Sequence, residues 1–183
     1  MFNQASQPVK FDRDCDVVMI PSGEAVSIPA GTVGYITQAL GGSYTVFIEG
    51  NLFRVAGADG DAIGKDIVPP PTLPDDATRE DVEKLVWHQL GNVYDPEIPI
   101  DIVELGLVYK CDLQPQADGS YRIEIDMTLT APGCGMGDIL VDDVRSKLEI
   151  IPKVQSAEVE LVFEPPWNMH MMSEAARLET GML

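Results

Sequence analysis

The sequence predicts an α+β fold: a small all-β N-terminal domain, then a compact α/β sandwich (helix-strand-strand-helix-strand) with a C-terminal helix. Three observations predict it. Up to about residue 67, short alternating runs are separated by glycine turns, with no long helical pattern. Residues 68–76, VPPPTLPDD, then place four prolines in one short span. Such a run sustains neither a helix nor a central strand and reads as an extended linker. Beyond it, helical and strand periodicities alternate, the pattern of mixed α/β layers. The expected organisation is therefore a β-barrel-like domain over 1–67, a proline-rich linker over 68–76, and a second domain over 77–183.

In the first domain, SIPAG (27–31) reads as a turn and VGYITQ (33–38) as a strand. SYTVFIEG (43–50) alternates, with Tyr44, Val46 and Ile48 on one face, and Glu49-Gly50-Asn51 turns it into LFRVAG (52–57). Short strands of this kind build a small barrel or sandwich. In the second domain, Thr78 is placed to cap a helix whose third position is Asp81. Val82, Leu85, Val86, Leu90 and Val93 form its core stripe, and DPEIP (95–99) is expected to stop it. LVYKCDLQ (107–114) is strand-like, and Ala117 to Ser120 turn the chain. RIEIDMTLT (122–130) sets Ile123, Ile125, Met127 and Leu129 inward and Glu124, Asp126, Thr128 and Thr130 outward. A helix starting near Gly135 carries Met136, Ile139, Leu140, Val144 and Leu148, and AEVELVF (157–163) is a third strand. A final helix is expected from Ser173 to before Gly181.

Charge excludes some function classes. Lys and Arg total 12 against 30 Asp and Glu, a formal net charge of −18. Such a field repels phosphate backbones and anionic bilayers, so neither nucleic acid nor membrane is an expected partner. The N-terminus, MFNQASQPVKFDRD, lacks the apolar core of a signal peptide. Three sparse cysteines, Cys15, Cys111 and Cys134, without a CxxC pair fit a reducing cytoplasm. One chain therefore cannot supply a four-cysteine zinc or cluster site.

The chemistry-bearing stretch is TLTAPGCGMGDILVDDV (128–144), where a strand-like run meets a helix-like one. A cysteine just before a helix meets backbone N–H groups that lack internal partners, and the helix dipole adds positive charge. That setting favours the thiolate, the metal-binding and nucleophilic form. Gly133, Gly135 and Gly137 let the backbone bend and a ligand approach. The geometry suits an iron or cluster ligand or a reactive thiol, and it equally suits a small buried side chain. A phosphate loop is excluded because Asp138 stands where Lys is required, and the same residue spoils a dinucleotide fingerprint.

Asp95-Pro96-Glu97 supplies two carboxylates, hard ligands for iron or contacts for a basic partner. Thiol catalysis needs a base, and the two histidines, His88 and His170, have no evident route to Cys134. Met169, His170, Met171 and Met172 could ligate copper or haem, though methionines here more often pack a seam. Trp167 is a candidate interface anchor. Arg13, Asp14 and Cys15 form a polar cluster, expected to be a local salt bridge beside a buried thiol.

DPEIPIDIVELGLVY (95–109), TLTAPGCGMGDILVDDV (128–144) and VELVFEPPWNMHMMSEAARLETG (159–181) resemble the PaaD-like iron–sulfur assembly family. RDCDVVMIPSG (13–23) and ITQALGGSYTVFIEGNLFRVAG (36–57) resemble the N-terminal extension of its bacterial SufT branch. The resemblance implies an accessory factor in iron–sulfur cluster assembly or transfer, and not an enzyme. It places Cys134 at the family's reactive cysteine and Asp95, Pro96 and Glu97 at its acidic loop. Thr128 and Thr130 fall on the strand leading to that cysteine, and Cys15 and Cys111 are weaker matches. The expected site is thus Cys134 as metal ligand with Asp95, Glu97, Thr130, Gly133 and Gly135 around it. The expected cargo is iron or a labile iron–sulfur cluster. Assembly machinery and client apoproteins are the expected partners, and a homodimer would supply further ligands. The alternative is a metal-free acidic adaptor between scaffold and client.

Overall fold

The computed structural model describes residues 7–20, 22–95, 98–131, 133 and 135–181. The chain divides into two compact units, Met1–Pro70 and Pro71–Leu183, so the division falls inside the proline-rich stretch.

Unit 1 contains β1 (Gln7–Lys10), β2 (Cys15–Ile20), β3 (Ala25–Ile28), β4 (Val33–Leu40), β5 (Ser43–Ile48) and β6 (Asn51–Ala56). They form one antiparallel sheet in the order β1-β4-β5-β6-β2-β3. Alternation drives it: Val46, Ile48, Phe53 and Val55 are buried with Phe11, Cys15 and Val17. The β5–β6 turn is one residue tighter than expected. Ile48 pairs with Asn51, and Glu49 and Gly50 both take positive φ, 47° and 92°, the conformation favoured in two-residue hairpin loops. Ser27 and Ile28, expected in a turn, complete β3, and the turn begins at Pro29. The Arg13 cluster is also corrected. Arg13 donates to Asp61 at 2.8 and 2.9 Å and to Asp59 at 2.8 Å, tying the loop after β1 to the short 3-10 helix Gly57–Ile63. Asp14 instead accepts from the Ala30 amide.

Unit 2 contains α1 (Arg79–Leu90), β7 (Val108–Pro115), β8 (Tyr121–Met127), α2 (Gly137–Glu149), β9 (Val154–Leu161) and α3 (Glu174–Thr180). Its sheet runs β7-β8-β9, with β7/β8 antiparallel and β8/β9 parallel. A parallel neighbour requires a crossover, and α2 supplies it. Ile123 is flanked by Leu113 and Ala157, and Ile125 by Cys111 and Val159. This face is covered by Val82, Val86 and Leu90 of α1 and Leu140, Val144 and Leu148 of α2. Pleat alternation puts Lys110, Asp112, Arg122, Glu124, Asp126, Glu158 and Glu160 on the opposite face.

Local signals set the helix ends. Thr78 Oγ1 accepts from the Asp81 amide, and an Asp81 carboxylate oxygen accepts from the Thr78 amide at 2.8 Å, a complete capping box. The Thr78 amide first, and then its hydroxyl, donating to the same carboxylate oxygen, hold the Asp81 carboxyl below the usual carboxylate range. α1 ends at Leu90, earlier than the expected stop at 95–99, because the chain leaves the helix at Gly91 and Asn92. Val93 is buried beyond the helix, its carbonyl accepting from Ile102 at 2.9 Å. At the C-terminus, Ser173 caps α3 and Gly181 ends it in the left-handed region.

Candidate functional site

The site assembles where β8 gives way to α2. The strand ends at Met127, so Thr128 does not face outward as alternation alone predicts. It is 1% exposed, and its amide donates to the Leu107 carbonyl at 2.9 Å. Leu129 follows into the core. The three spaced glycines then divide by role. Gly133 has φ +82°, a conformation that disfavours any residue with a Cβ. Gly133 and Gly135 are exposed, and a Cβ on either would meet nothing within 4 Å. Gly137 is a packing glycine: its Cβ would lie 3.0 Å from Leu129 and 3.2 Å from Leu161. Met136, at the N-cap of α2, gives the helix no side-chain cap.

Asp95 of the acidic stretch approaches Thr130, just ahead of this turn. Tyr94 bridges to Asp101, and the Asp95 amide donates to the Ile100 carbonyl at 3.1 Å. Asp95 is 4% exposed. Its Oδ1 accepts from the Ile98 amide at 2.9 Å, and its Oδ2 lies 3.5 Å from Thr130 Oγ1. A buried carboxylate therefore joins the loop to the residue four places before Cys134. Asp101 caps the next turn, accepting from the Val103 and Glu104 amides at 3.0 Å, while burial pushes its pKa up. Pro96, Glu97 and Cys134 lie outside the described residues. Of the expected site, the structure brings Asp95 and Thr130 together and sets Gly133 and Gly135 on the turn that follows.

The other two thiols are ill suited to hold metal. Cys15 is 2% exposed in the core of unit 1, and burial raises its pKa. Cys111 packs against the core of unit 2, where burial pushes it up to about 11. Both stay protonated near neutrality, and a thiol must deprotonate to ligate. The methionine segment packs within unit 2. Met172 is buried, and the Tyr109 hydroxyl donates to Met171 Sδ at 3.4 Å and to the Pro165 carbonyl at 2.8 Å. Trp167 anchors this same segment by donating Nε1–H to the Leu105 carbonyl at 2.8 Å. The Ser173 hydroxyl hydrogen-bonds to Glu104. Sequence reasoning missed this strap; the signal available was Gly106, at φ +70°, against which the Met171 carbonyl packs. His88 and His170 are exposed, and among the described residues no group of three or more His, Cys, Asp or Glu could hold a metal ion.

Unit 2 is thus a small α+β module in which a buried carboxylate, Asp95, meets Thr130 just before exposed glycines and the helical crossover. A family model described as iron-sulfur cluster assembly protein matches residues 83–161, all within unit 2. A Porphyromonas gingivalis protein named "Fe-S protein maturation auxiliary factor" is 45% identical over 106 residues, 58% of this chain and 93% of its own. The Staphylococcus aureus "Fe-S protein maturation auxiliary factor SufT" is 46% identical over 49% of this chain and 98% of its own. The Bacillus subtilis "Fe-S protein maturation auxiliary factor YitW" is 39% identical over 57% and 98%. A solved Bacillus anthracis domain of unknown function, DUF59, is 37% identical over 57% of this chain and 95% of its own, with a TM-score of 0.48. The chain belongs to the iron–sulfur cluster assembly protein family.

Proposed function

We propose that the chain is an accessory factor in the maturation of iron–sulfur proteins, assembling a cluster or passing it to client apoproteins. Its names-by-relation, all maturation auxiliary factors, support the process. The observation that carries the site is the junction of Asp95 with Thr130, beside the glycine turn that holds Cys134 in the sequence. Burial of Cys15 and Cys111 leaves Cys134 as the candidate thiol. In this reading Cys134, as thiolate, holds iron or a labile cluster as cargo. Asp95 and Glu97 contribute carboxylate near it, and Gly133 and Gly135 keep the approach clear. One thiolate cannot hold a cluster, so a second copy or the client completes the ligand set. The protein does not turn over a substrate in this role, and it works in the cytoplasm with the assembly machinery. No helix among the described residues is long and apolar enough to cross a membrane.

The outer sheet face favours a second reading. Asp112, Glu124, Asp126, Glu158 and Glu160 share it with only Lys110 and Arg122 as basic residues, which fits a metal-free adaptor for a basic partner. Replacing Cys134 with Ala in cells that depend on this factor separates the two. The first reading expects iron–sulfur enzyme activities to fall while the level of folded protein is unchanged; normal maturation would leave only the adaptor.

A further inference from the structure

β9 is an edge strand whose two halves differ. It pairs with β8 on one side, and α2 packs on one of its faces. The Val162 amide, just past the strand, donates to the Met127 carbonyl at 2.8 Å. Backbone groups alternate in direction along a strand, so Glu158 and Glu160 turn theirs toward β8, while Ala157, Val159 and Leu161 turn theirs to the open edge. The first of these donors is taken: the Ala157 amide donates to Glu149 Oε1 at 3.4 Å. Among the described residues, the Val159 and Leu161 amides have no such acceptor. Folds ordinarily blunt a sheet edge, and the other edge of this sheet shows how. β7 carries an irregularity between Val108 and Lys110 and ends on Pro115. The strap of residues 165–173 is tied to Tyr109 of β7 and to Glu104 and Leu105 just before it. At Val159–Leu161 the device is charge, which selects among partners.

Glu160 lies opposite Asp126 on the outer face, two acids side by side. Among the described residues neither is in an ion pair, because Lys110, in register with Asp126, bonds instead to Glu124 at 3.2 Å. Pairing β9 with its own copy is disfavoured. The two-fold antiparallel registers that bring the open groups together set Glu158 or Glu160 opposite another glutamate, and like charges directly opposite destabilise a strand pair. A strand with Lys or Arg on its outer side would instead complement Glu160 and Asp126. Its inner side chains, beside half-buried Val159 and Leu161, would be apolar. Leu161 lies where a Cβ on Gly137 would meet it at 3.2 Å, so the open edge ends at the glycine turn. We propose that the free edge of β9 at Val159–Leu161 docks, by main-chain pairing, an extended segment of a partner protein in which apolar and basic residues alternate. The inference rests on the reading of this chain as a factor that engages client proteins, and not on iron at Cys134.

The test uses the full chain, free of iron, and a fluorescein-labelled peptide of about eight residues alternating valine and lysine. Two analogues carry N-methyl groups, one on the valine amides and the other on the lysine amides; a docked strand turns just one of these sets toward β9. A peptide with glutamate in place of lysine is the charge control. Anisotropy titration is expected to show saturable binding of the valine–lysine peptide, with an amide NMR footprint over residues 157–163. One N-methyl pattern is expected to weaken binding about tenfold or more and the other to leave it intact. Val159→Pro removes an edge donor that the ladder does not use and is expected to weaken binding about fivefold or more. Glu160→Lys is expected to weaken the lysine peptide and improve the glutamate one. Should Val159→Pro melt early, the wild-type footprint and the N-methyl pair decide. Cys134→Ala is expected to bind as the wild type does. Iron loading without peptide binding would therefore sink this proposal alone, and peptide binding without iron loading the cluster reading alone. No saturable binding, equal binding of both N-methyl analogues, or a footprint elsewhere would overturn the proposal. So would self-association in sedimentation that Val159→Pro abolishes.

Discussion

Replacing Asp95 separates the scaffolding work of its carboxylate from any work on cargo. The side chain is 4% exposed, and its Oδ1 accepts the Ile98 amide at 2.9 Å. Asp95→Ala removes that acceptor and leaves a part-buried N–H without it, a loss of about 1–3 kcal/mol. Taking about 2 kcal/mol, and roughly 4 °C per kcal/mol for a domain near this size, the melting temperature should fall by roughly 8 °C. Asp95→Asn keeps an oxygen where Oδ1 stands, so its loss should stay below about 1 kcal/mol. Thermal and urea unfolding at pH 7, followed by circular dichroism, measure both variants. Iron retention by the folded Asp95→Asn protein then reports on the charge itself, and the proposed site expects it to drop. An Asp95→Ala protein that melts with the wild type, or an Asn variant as damaged as the Ala one, would refute the reasoning about the loop.

Three further outcomes are expected. With Cys111 pushed up to about 11 from an ordinary value near 9, alkylation at pH 7.5 read by mass spectrometry should modify Cys134 first and reach Cys15 and Cys111 only on unfolding. Keeping the Cys111 thiol protonated contributes stability that is complete below its ordinary pKa and is lost as the pH rises through 11, so urea midpoints should fall across that alkaline window. Gly106→Ala puts a Cβ 2.2 Å from the Met171 carbonyl at φ +70°. The left-handed backbone alone costs roughly 1–2 kcal/mol, so urea unfolding should show a larger loss, and Trp167 fluorescence should shift as the strap lifts. Thr78→Ala should cost about 1 kcal/mol at pH 7 by urea unfolding. Because the Thr78 hydroxyl, after the backbone amide that Ala retains, helps hold the Asp81 carboxyl low, the hydroxyl's share of that contribution is present above the ordinary carboxylate range. The gap from wild type should narrow as pH falls through the depressed value.

The second unit was the more legible one, because its signals are local and mutually consistent. Ile123, Ile125 and Met127 alternate over a long enough run to fix one face of β8, and Leu140, Val144 and Leu148 fix the buried stripe of α2. Thr78 and Ser173 mark helix starts through their side-chain oxygens, and Gly181 marks a helix end through its left-handed backbone. What escaped depends on tertiary partners. Thr128 continues the alternating pattern, yet the pairing of its amide with Leu107 turns the chain inward. Val93 fits helical spacing, but its carbonyl is taken by Ile102 across the acidic loop. The strand character of β1, only four residues long, lies in its pairing with β4, a partner distant in sequence. At the site, three glycines looked alike, and only neighbouring side chains distinguish the open turn at Gly133 and Gly135 from the packed Gly137. The meeting of Asp95 with Thr130 likewise depends on a fold that brings together residues 35 apart in sequence.

The most direct test of the account is the iron and sulfide content of the purified full chain after anaerobic reconstitution, compared between wild type and Cys134→Ala. The account predicts bound iron with visible absorbance in the wild type and neither in the variant, while both melt at the same temperature. Equal iron in the two proteins, or none in the wild type under any reconstitution condition, would contradict it.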